Sequence, residues 1–252
     1  MSGQITLPDL REALMERQGM VQVQPIFDVE TGKVVFHEVL LRLMDIRGEE
    51  MFPKDFLPTA VSANLLPEID LLTLHLLEEQ MQVLKKPPPT KLSINVSRRT
   101  LAYKPYLDKL KQASWEPLLP SLMFEVKTND IGQDIEALRA LKGLKGAGIC
   151  LCVDYQKGGA AVVKLAKQLG FDYIKIDAVS VSLKYTETEL KQVQAACDEA
   201  RRDGLKIIFE RVEALRDLRT ARKYNPHKMQ GYFFAHPSLL FSRLEVDFKK
   251  YA

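Results

Sequence analysis

Short apolar runs that end in a charged residue recur through the second half of the chain. Four of them are Leu122–Lys127, Ile149–Asp154, Tyr173–Asp177 and Lys206–Glu210. A segment with helical spacing of apolar residues follows each run, so the pattern predicts a strand, a polar tip and a helix, repeated. In a parallel sheet or barrel the carboxyl ends of all strands lie on one face, and such folds bind their ligands there. The acids and lysines at the tips are therefore expected to converge.

The first part of the chain departs from this repeat. Val21–Phe27 and Val34–Arg42 alternate apolar and polar positions, and the segment between them, Asp28–Lys33, carries a glycine at position 32. Two alternating segments around a glycine turn predict a β-hairpin, so the first two strands are expected to run antiparallel. All strands of a regular α/β barrel are parallel, which makes the hairpin an irregular feature of the predicted fold.

Apolar residues at helical spacing indicate where the first helices lie. Leu7, Leu10 and Leu14 predict a short amphipathic helix, which we expect to be a lid or a lead-in helix on the floor of the barrel. Helical spacing also covers Phe56–Ala63 and Pro67–Met81. These helices fit the outer layer of an α/β barrel.

The last predicted strand is Met229–Phe234, and no earlier linker is long enough to divide the chain. The interpretation is therefore one domain over residues 1–252. Its three parts are a lead-in helix in residues 1–18, a barrel in residues 19–240 and a C-terminal tail in residues 241–252.

Composition narrows the class of protein. The chain has 252 residues, of which 46% are hydrophobic and 27% charged, as in an ordinary globular protein. Its formal net charge of +3 is too small to indicate direct nucleic-acid binding. The three cysteines are expected to be reduced thiols of a cytoplasmic protein. No apolar run approaches the roughly 20 residues that span a bilayer, so no membrane association of this domain is expected.

The order of the strand tips resembles the EAL domain of cyclic-di-GMP phosphodiesterases. The resemblance extends from Gln24 to Pro237. Its motifs, with the family's pattern in parentheses, are Gln24–Ile26 (QPI), Glu38–Arg42 (EALLR, with valine for alanine), Leu92–Ser97 (LSxNLS), Phe124–Asn129 (LEITES), Tyr173–Asp177 (YLKID), Phe209–Glu213 (AEGVE) and Gln230–Tyr232 (QGY). The resemblance implies an α/β fold, a TIM-like (β/α)8 barrel with one antiparallel strand.

The resemblance also implies a role for each tip. The oxygen ligands of two divalent cations, Mg²⁺ or Mn²⁺, would be Glu38, Asn95, Glu125, Asp154, Asp177 and Glu210. Catalytic roles fall to Lys175, beside the attacking water, and to Glu210. Contacts with the cyclic dinucleotide, with Arg42 on a phosphate, would come from Gln24, Glu38, Leu40, Arg42, Asp154, Gln230 and Pro237. Hard oxygen ligands suit these cations, and two of them can clamp both oxygens of an in-line phosphodiester displacement.

Four positions depart from the family pattern. They are Val153 in place of the first aspartate of DDFGTG, Lys127 and Thr128 in place of the threonine and second glutamate of LEITES, and Arg211 in place of the glycine of AEGVE. These changes remove one acid and add two cations. They lead to the hypothesis that the negative charge of the site is neutralised by its own side chains. The site would then hold no productive metal pair, and its metal-binding and catalytic residues would be vestigial. In the alternative, Lys127 and Arg211 turn outward and one metal remains.

Three functions remain open. The first is a degenerate, catalytically impaired EAL domain that serves as a cyclic-di-GMP receptor or as a signalling and interaction module in bacterial second-messenger control. The second is an active or slow metal-dependent cyclic-di-GMP phosphodiesterase. The third is an EAL-like regulator that binds a protein and not the nucleotide. A protein partner or a fused signalling domain is expected, and a homodimer is open.

Overall fold

The strands of the chain pair in a closed circuit. A computed structural model describes residues 5–45, 47–84, 90–127, 134–239, 241 and 244–251. Within these residues the strands are β1 (Gly19–Asp28), β2 (Val34–Met44), β3 (Glu50–Met51), β4 (Lys91–Asn95), β5 (Leu122–Lys127), β6 (Cys150–Tyr155), β7 (Tyr173–Asp177), β8 (Lys206–Glu210) and β9 (Lys228–Met229). Their order is β1-β9-β8-β7-β6-β5-β4-β2-β3, and pairing of β1 with β2 closes the barrel.

Helices surround this barrel. In the described residues they are α1 (Leu7–Met15), α2 (Pro53–Ser62), α3 (Leu66–Leu84), α4 (Arg98–Leu101), α5 (Lys104–Leu110), α6 (Ile135–Gly146), α7 (Gly159–Gln168), α8 (Glu187–Asp203) and α9 (Leu215–Arg222). Shorter helical turns cover Glu116–Ser121, Ser180–Lys184 and Phe248–Tyr251. Across the parts of the chain that are described, no helix is both long and apolar enough to cross a membrane.

The predicted fold class is confirmed. Strands β4 to β9 run parallel to one another, and β2 runs parallel to β4. Strand β1 is antiparallel to both of its neighbours, β2 and β9, as the hairpin predicts. The short strand β3 extends the sheet beyond the barrel by pairing with the end of β2. The carboxyl ends of the parallel strands therefore form a single rim, which we call the mouth.

Side-chain alternation divides the core into two layers. A small cluster fills the barrel interior and contains Ile26, Phe36, Met123, Cys152 and Ile208. A much larger cluster fills the space between the strands and the helices. Because successive residues of a strand point to opposite faces, only every second residue of each tip can reach the mouth.

Two predicted elements differ from the structure. The lead-in helix α1 is present, but its placement on the barrel floor is wrong. Strand β1 runs antiparallel, so its first residue, Gly19, pairs with Leu43 at the mouth end of β2. Helix α1 precedes that residue and lies beside α2, where the backbone N–H of Ile5 donates to the carbonyl of Asp55 over 3.1 Å.

The last strand is shorter than the predicted Met229–Phe234, because β9 ends at Met229. Gly231 lies against the backbone of Val212, whose carbonyl oxygen would be 2.1 Å from a β-carbon on Gly231. This close approach turns the chain away from the sheet, and Phe233 N–H then donates to Val212 O over 3.0 Å. Gln230 is thereby held at the mouth by a turn and not by a strand.

Candidate functional site

Lys175 lies at the centre of the mouth and is 1% exposed. Its Nζ atom is 2.9 Å from Glu38 Oε2, 2.8 Å from Glu125 Oε2 and 3.1 Å from Glu210 Oε2. These three acids stand on β2, β5 and β8, and alternation turns each of them inward. The polar strand tips therefore converge as predicted, and the three acids surround the ammonium group of a lysine.

The pKa values of these groups reflect burial and the lysine charge. Burial raises the pKa of Glu125 to about 8 and that of Glu210 to about 7, in both cases against the attraction of Lys175. Burial also acts to raise the pKa of Glu38, but Lys175 and hydrogen bonds from Gln230 and Asn95 bring the pKa below its ordinary value. Burial opposes the charge of Lys175, and the three acids nevertheless raise its pKa well above the ordinary value. Protons on Glu125 and Glu210 near neutral pH thus reduce the excess negative charge.

An amide network continues from this centre. Asn95 Nδ2 donates to Glu38 Oε1 over 2.8 Å, and Gln230 Nε2 donates to Glu38 Oε2 over 2.7 Å. Gln230 Nε2 also reaches Gln24 Oε1 at 3.0 Å, and Gln24 Nε2 donates to the Ala235 carbonyl. Within the described residues, the buried Oε1 of Gln230 has no hydrogen-bond donor. An unpaired buried acceptor is costly, so this atom can accept from a ligand N–H group at low cost.

Arg42 is fixed by neighbours that the motifs did not include. Its Nε donates to Gln22 Oε1 over 3.1 Å and lies 3.4 Å from Glu50 Oε1. Its guanidinium carbon lies 5.0 Å from the centre of the Phe52 ring. Gln22 could have been found from sequence, because it is two residues before Gln24 on the same strand face. Glu50 and Phe52 had no such signal, since β3 is only two residues long.

Ser93 is a second residue that the sequence interpretation missed. It is fully buried, and its hydroxyl donates to Glu125 Oε1. The position was predictable in principle, because Ser93 precedes Asn95 by two residues on β4 and so faces the same side. The hydroxyl fixes the orientation of a carboxylate at the mouth.

Asp177 is held by Arg211. Arg211 Nη1 donates to Asp177 Oδ2 over 2.7 Å, and Ser180 donates to the same carboxylate through its backbone N–H and its hydroxyl. Arg211 therefore turns toward the site, as the neutralisation hypothesis required. Its backbone has φ of +55°, a left-handed conformation that glycine adopts without strain and arginine does not.

At position 153 the family pattern has the first of two adjacent aspartates, and this chain has a valine. Val153 is fully buried in the layer between strands and helices, so it faces away from the mouth. The next residue, Asp154, faces the mouth and lies in register with Lys127 on one side and Lys175 on the other. Burial raises the pKa of Asp154 despite the attraction of these lysines. The mouth therefore has the predicted aspartate of β6, and the aspartate that the family pattern has at position 153 is absent.

The other substituted positions contribute less than Arg211 to neutralising the negative charge of the mouth. Lys127 is on the same strand face as Glu125, as predicted, but its side chain is exposed at the rim. Thr128 lies outside the described residues. In the described residues the ion pairs with these acids come from Lys175 and Arg211, while Lys127 attracts Asp154 from an exposed position on the neighbouring strand.

A cavity of about 660 Å³ opens beside Arg42 at the mouth. Five of the predicted nucleotide contacts line it, namely Gln24, Glu38, Leu40, Arg42 and Gln230. Phe52 and Tyr232 add two partly exposed aromatic rings. Asp154 and Pro237 are not among the described residues that line this cavity. Pro237 is half-buried next to Ser238, whose backbone pairs with Val23.

The six predicted metal ligands offer oxygen atoms of the type that Mg²⁺ and Mn²⁺ prefer. Their arrangement is that of a cation-paired cluster, because Lys175 holds Glu38, Glu125 and Glu210 while Arg211 holds Asp177. Within the described ranges, no group of three or more His, Cys, Asp or Glu side chains is placed to hold a metal. The donor chemistry fits a divalent cation, and binding one requires these ion pairs to be exchanged.

Comparison with known proteins agrees with this geometry. A family profile described as EAL domain matches residues 8–237. Cyclic di-GMP phosphodiesterase PdeF of Escherichia coli K12 is 27% identical over 245 residues, which are 93% of this chain and 32% of PdeF. The chain thus spans about a third of the length of that relative.

Two solved structures share the fold over nearly the whole chain. The Xanthomonas citri FimX EAL domain in complex with c-diGMP gives a TM-score of 0.80 at 16% identity, covering 95% of this chain and 96% of that one. The PaMucR phosphodiesterase in its c-di-GMP complex gives 0.76 at 25% identity, covering 92% and 96%. The barrel described above is therefore the fold of these nucleotide-bound domains.

Proposed function

Because the chain belongs to the EAL domain family, we propose that it binds cyclic di-GMP at the mouth as a receptor and hydrolyses it slowly or not at all. The observation that carries this proposal is the cavity in which Arg42 stands beside Gln24 and Gln230. A guanidinium held in a fixed orientation is well suited to a phosphate. The unpaired acceptor of Gln230 and the rings of Phe52 and Tyr232 suit a base with N–H donors and a flat face.

The proposed weakness of hydrolysis rests on the two internal cations. Divalent cations bound at the mouth would supply Lewis-acid activation of water and phosphate. Lys175 and Arg211 already pair with four of the acids that would hold them. An ammonium or guanidinium compensates negative charge but cannot lower the pKa of a bound water as a metal does. Metal affinity should therefore be low, while the phosphate contact of Arg42 is unaffected.

A metal-dependent phosphodiesterase is the second candidate, and one observation favours it. Asp154 faces the mouth, so the six oxygen ligands predicted in this chain all belong to strands that end at the rim. If Mn²⁺ displaces the ion pairs at micromolar concentration, the chain is an enzyme and not only a receptor.

Calorimetric titration of the chain with cyclic di-GMP, in chelator and then in Mn²⁺, tests both proposals. A receptor binds the nucleotide in chelator, loses affinity in Arg42→Ala and leaves the dinucleotide uncleaved when products are separated by chromatography. Arg47→Ala is the matched control, because Arg47 is exposed and does not line the cavity. Turnover in Mn²⁺ supports the enzyme, and absence of binding under both conditions supports the EAL-like regulator that binds only a protein.

A further inference from the structure

Three cations line the cavity of about 660 Å³ at the mouth, namely Arg42, Lys54 and Arg211. Arg42 Nε lies 3.4 Å from Glu50 Oε1. Arg211 Nη1 lies 2.7 Å from Asp177 Oδ2. Lys54 differs from these two arginines, because it is exposed and, among the described residues, no acid lies within ion-pair distance of it. The positive charge of Lys54 therefore remains available to a ligand.

The acids on the same lining have cation partners of their own. Glu38 and Glu210 lie 2.9 Å and 3.1 Å from Lys175 Nζ. Glu213 Oε1 lies 3.5 Å from the Nε atom of Arg211. The opposite charges of a close pair largely cancel at longer range, so these acids attract a more distant cation only weakly. In the described part of the chain, the lining thus pairs its acids and leaves an ammonium group for an anionic ligand.

The first turn of α2 holds Lys54 at the cavity. Pro53 is the first residue of this helix and also lines the cavity. The N-cap is Phe52, which has no side-chain oxygen to accept from the Lys54 backbone N–H. Asp55, in the same turn, is buried and accepts from the Phe52 N–H over 2.9 Å, and it is not among the described residues that line the cavity. The start of α2 and the Lys54 ammonium therefore both favour an anion in this cavity.

Two further features indicate what that anion must offer. Gln230 is 2% exposed and lines the cavity, and its Oε1 atom has no hydrogen-bond donor among the described residues, so the cavity is built for a ligand. Arg42 donates from Nε to Gln22 and from Nη1 to the Leu41 carbonyl. The donors that remain on this guanidinium suit a single phosphate group. A ligand with two phosphates therefore needs a second cation.

We propose that Lys54 binds the second phosphate of the cyclic dinucleotide while Arg42 binds the first. This inference rests on the proposed nucleotide function and adds a phosphate-binding residue to it. A cyclic dinucleotide carries two phosphodiester groups, each with one negative charge, so it can satisfy both cations at once. The ammonium of lysine is a point charge on a flexible stem, which lets it follow a phosphate without the fixed geometry that a guanidinium requires.

Calorimetric titration with cyclic di-GMP in chelator tests this contact in the unaltered chain and in three variants. Lys54→Gln should weaken binding by about 5-fold, the upper end for an exposed ion pair, and Lys54→Arg should stay within about 2-fold of the unaltered chain. The loss should shrink in about 0.5 M NaCl, because salt screens exposed charges. Lys104→Gln is the matched control and should leave the affinity unchanged. Lys104 is exposed, lies in the first turn of α5 next to a proline and does not line the cavity.

Lys54→Gln in an Arg42→Lys background shows whether the two residues bind separate phosphates. Losses that add support separate phosphates, whereas coupling of more than about 3-fold means that both residues bind the same phosphate and overturns the inference. Unchanged affinity in Lys54→Gln, or an equal loss in Lys104→Gln, also overturns it. In those cases a loss in Arg42→Ala leaves the nucleotide function standing. Absence of binding by the unaltered chain overturns the nucleotide function, and the inference with it.

Discussion

Arg211 donates a hydrogen bond of 2.7 Å to Asp177 from a backbone position with φ of +55°. The backbone is therefore strained at Arg211, the residue that supplies this cation. A left-handed conformation costs a residue other than glycine roughly 1 kcal/mol or more. The ion pair is half-exposed on the Arg211 side, so its own contribution to stability is small. The arginine is thus better explained by its effect on the charge of the mouth than by folding.

Arg211→Gly is expected to increase the affinity for Mn²⁺ by about 10-fold, because Asp177 loses its paired cation and becomes available as an oxygen ligand. Calorimetric titration of Mn²⁺ measures the change. Arg211→Ala separates the two causes, since it removes the cation and keeps the β-carbon at the strained φ. Equal Mn²⁺ affinity in the wild type and both variants would contradict the assignment of Arg211 as a competing cation.

Gln22→Leu is expected to weaken cyclic di-GMP binding by about 5-fold, because Arg42 loses the acceptor that orients its Nε. The same substitution in an Arg42→Ala background should have no further effect, which makes the double-mutant cycle the decisive measurement. If Gln22→Leu weakens binding equally in both backgrounds, Gln22 acts on the cavity through something other than Arg42.

Much of the site could be predicted from the alternation of side chains along each strand and from the order of the polar strand tips along the chain. Acids at the ends of β5, β7 and β8 were predicted to converge, and Glu125 and Glu210 indeed meet at Lys175. The same rule places Val153 on the face of β6 that packs against the helices, which the match of motif letters did not indicate. Matching letters of a motif does not fix strand phase, and a shift of one residue moves a side chain from the mouth to the opposite face.

Other features depend on tertiary contacts that no local pattern encodes. Glu50 and Phe52 reach Arg42 only because β3 pairs with the end of β2. Strand β9 ends early because Gly231 approaches the backbone of Val212, and no local sequence pattern links these two positions. The prediction that α1 packs on the barrel floor was wrong because β1 is antiparallel to its neighbours. The start of β1, which follows α1, therefore lies at the mouth.

The stability of the chain should depend on the ionisation of Asp70. Burial raises the pKa of Asp70 from 3.8 to about 6 against the hydrogen bonds from Thr100 and Ser97. A carboxyl group with a raised folded-state pKa gives stability that is present below pH 4 and is lost as the pH rises through about 6. The loss, relative to Asp70→Asn, should be about 2–3 kcal/mol between pH 4 and pH 7. Urea unfolding at the two pH values measures this loss. If the free energy of unfolding depends on pH in the same way in both proteins, ionisation of Asp70 does not destabilise the fold.

Lys175→Met should destabilise the fold in the absence of metal, because it leaves three carboxylates together without their cation. Removing one partner of a buried ion pair costs roughly 3–5 kcal/mol. The loss should be largest at about pH 9, above the pKa values of about 8 for Glu125 and about 7 for Glu210, and should shrink at about pH 6, where both acids carry protons. It should also shrink on addition of Mn²⁺, which replaces the missing charge. Thermal unfolding in chelator and in Mn²⁺ measures both effects, with Lys157→Met at an exposed position as the control. A variant that is destabilised equally under all three conditions would show that Lys175 contributes by packing and not by its charge.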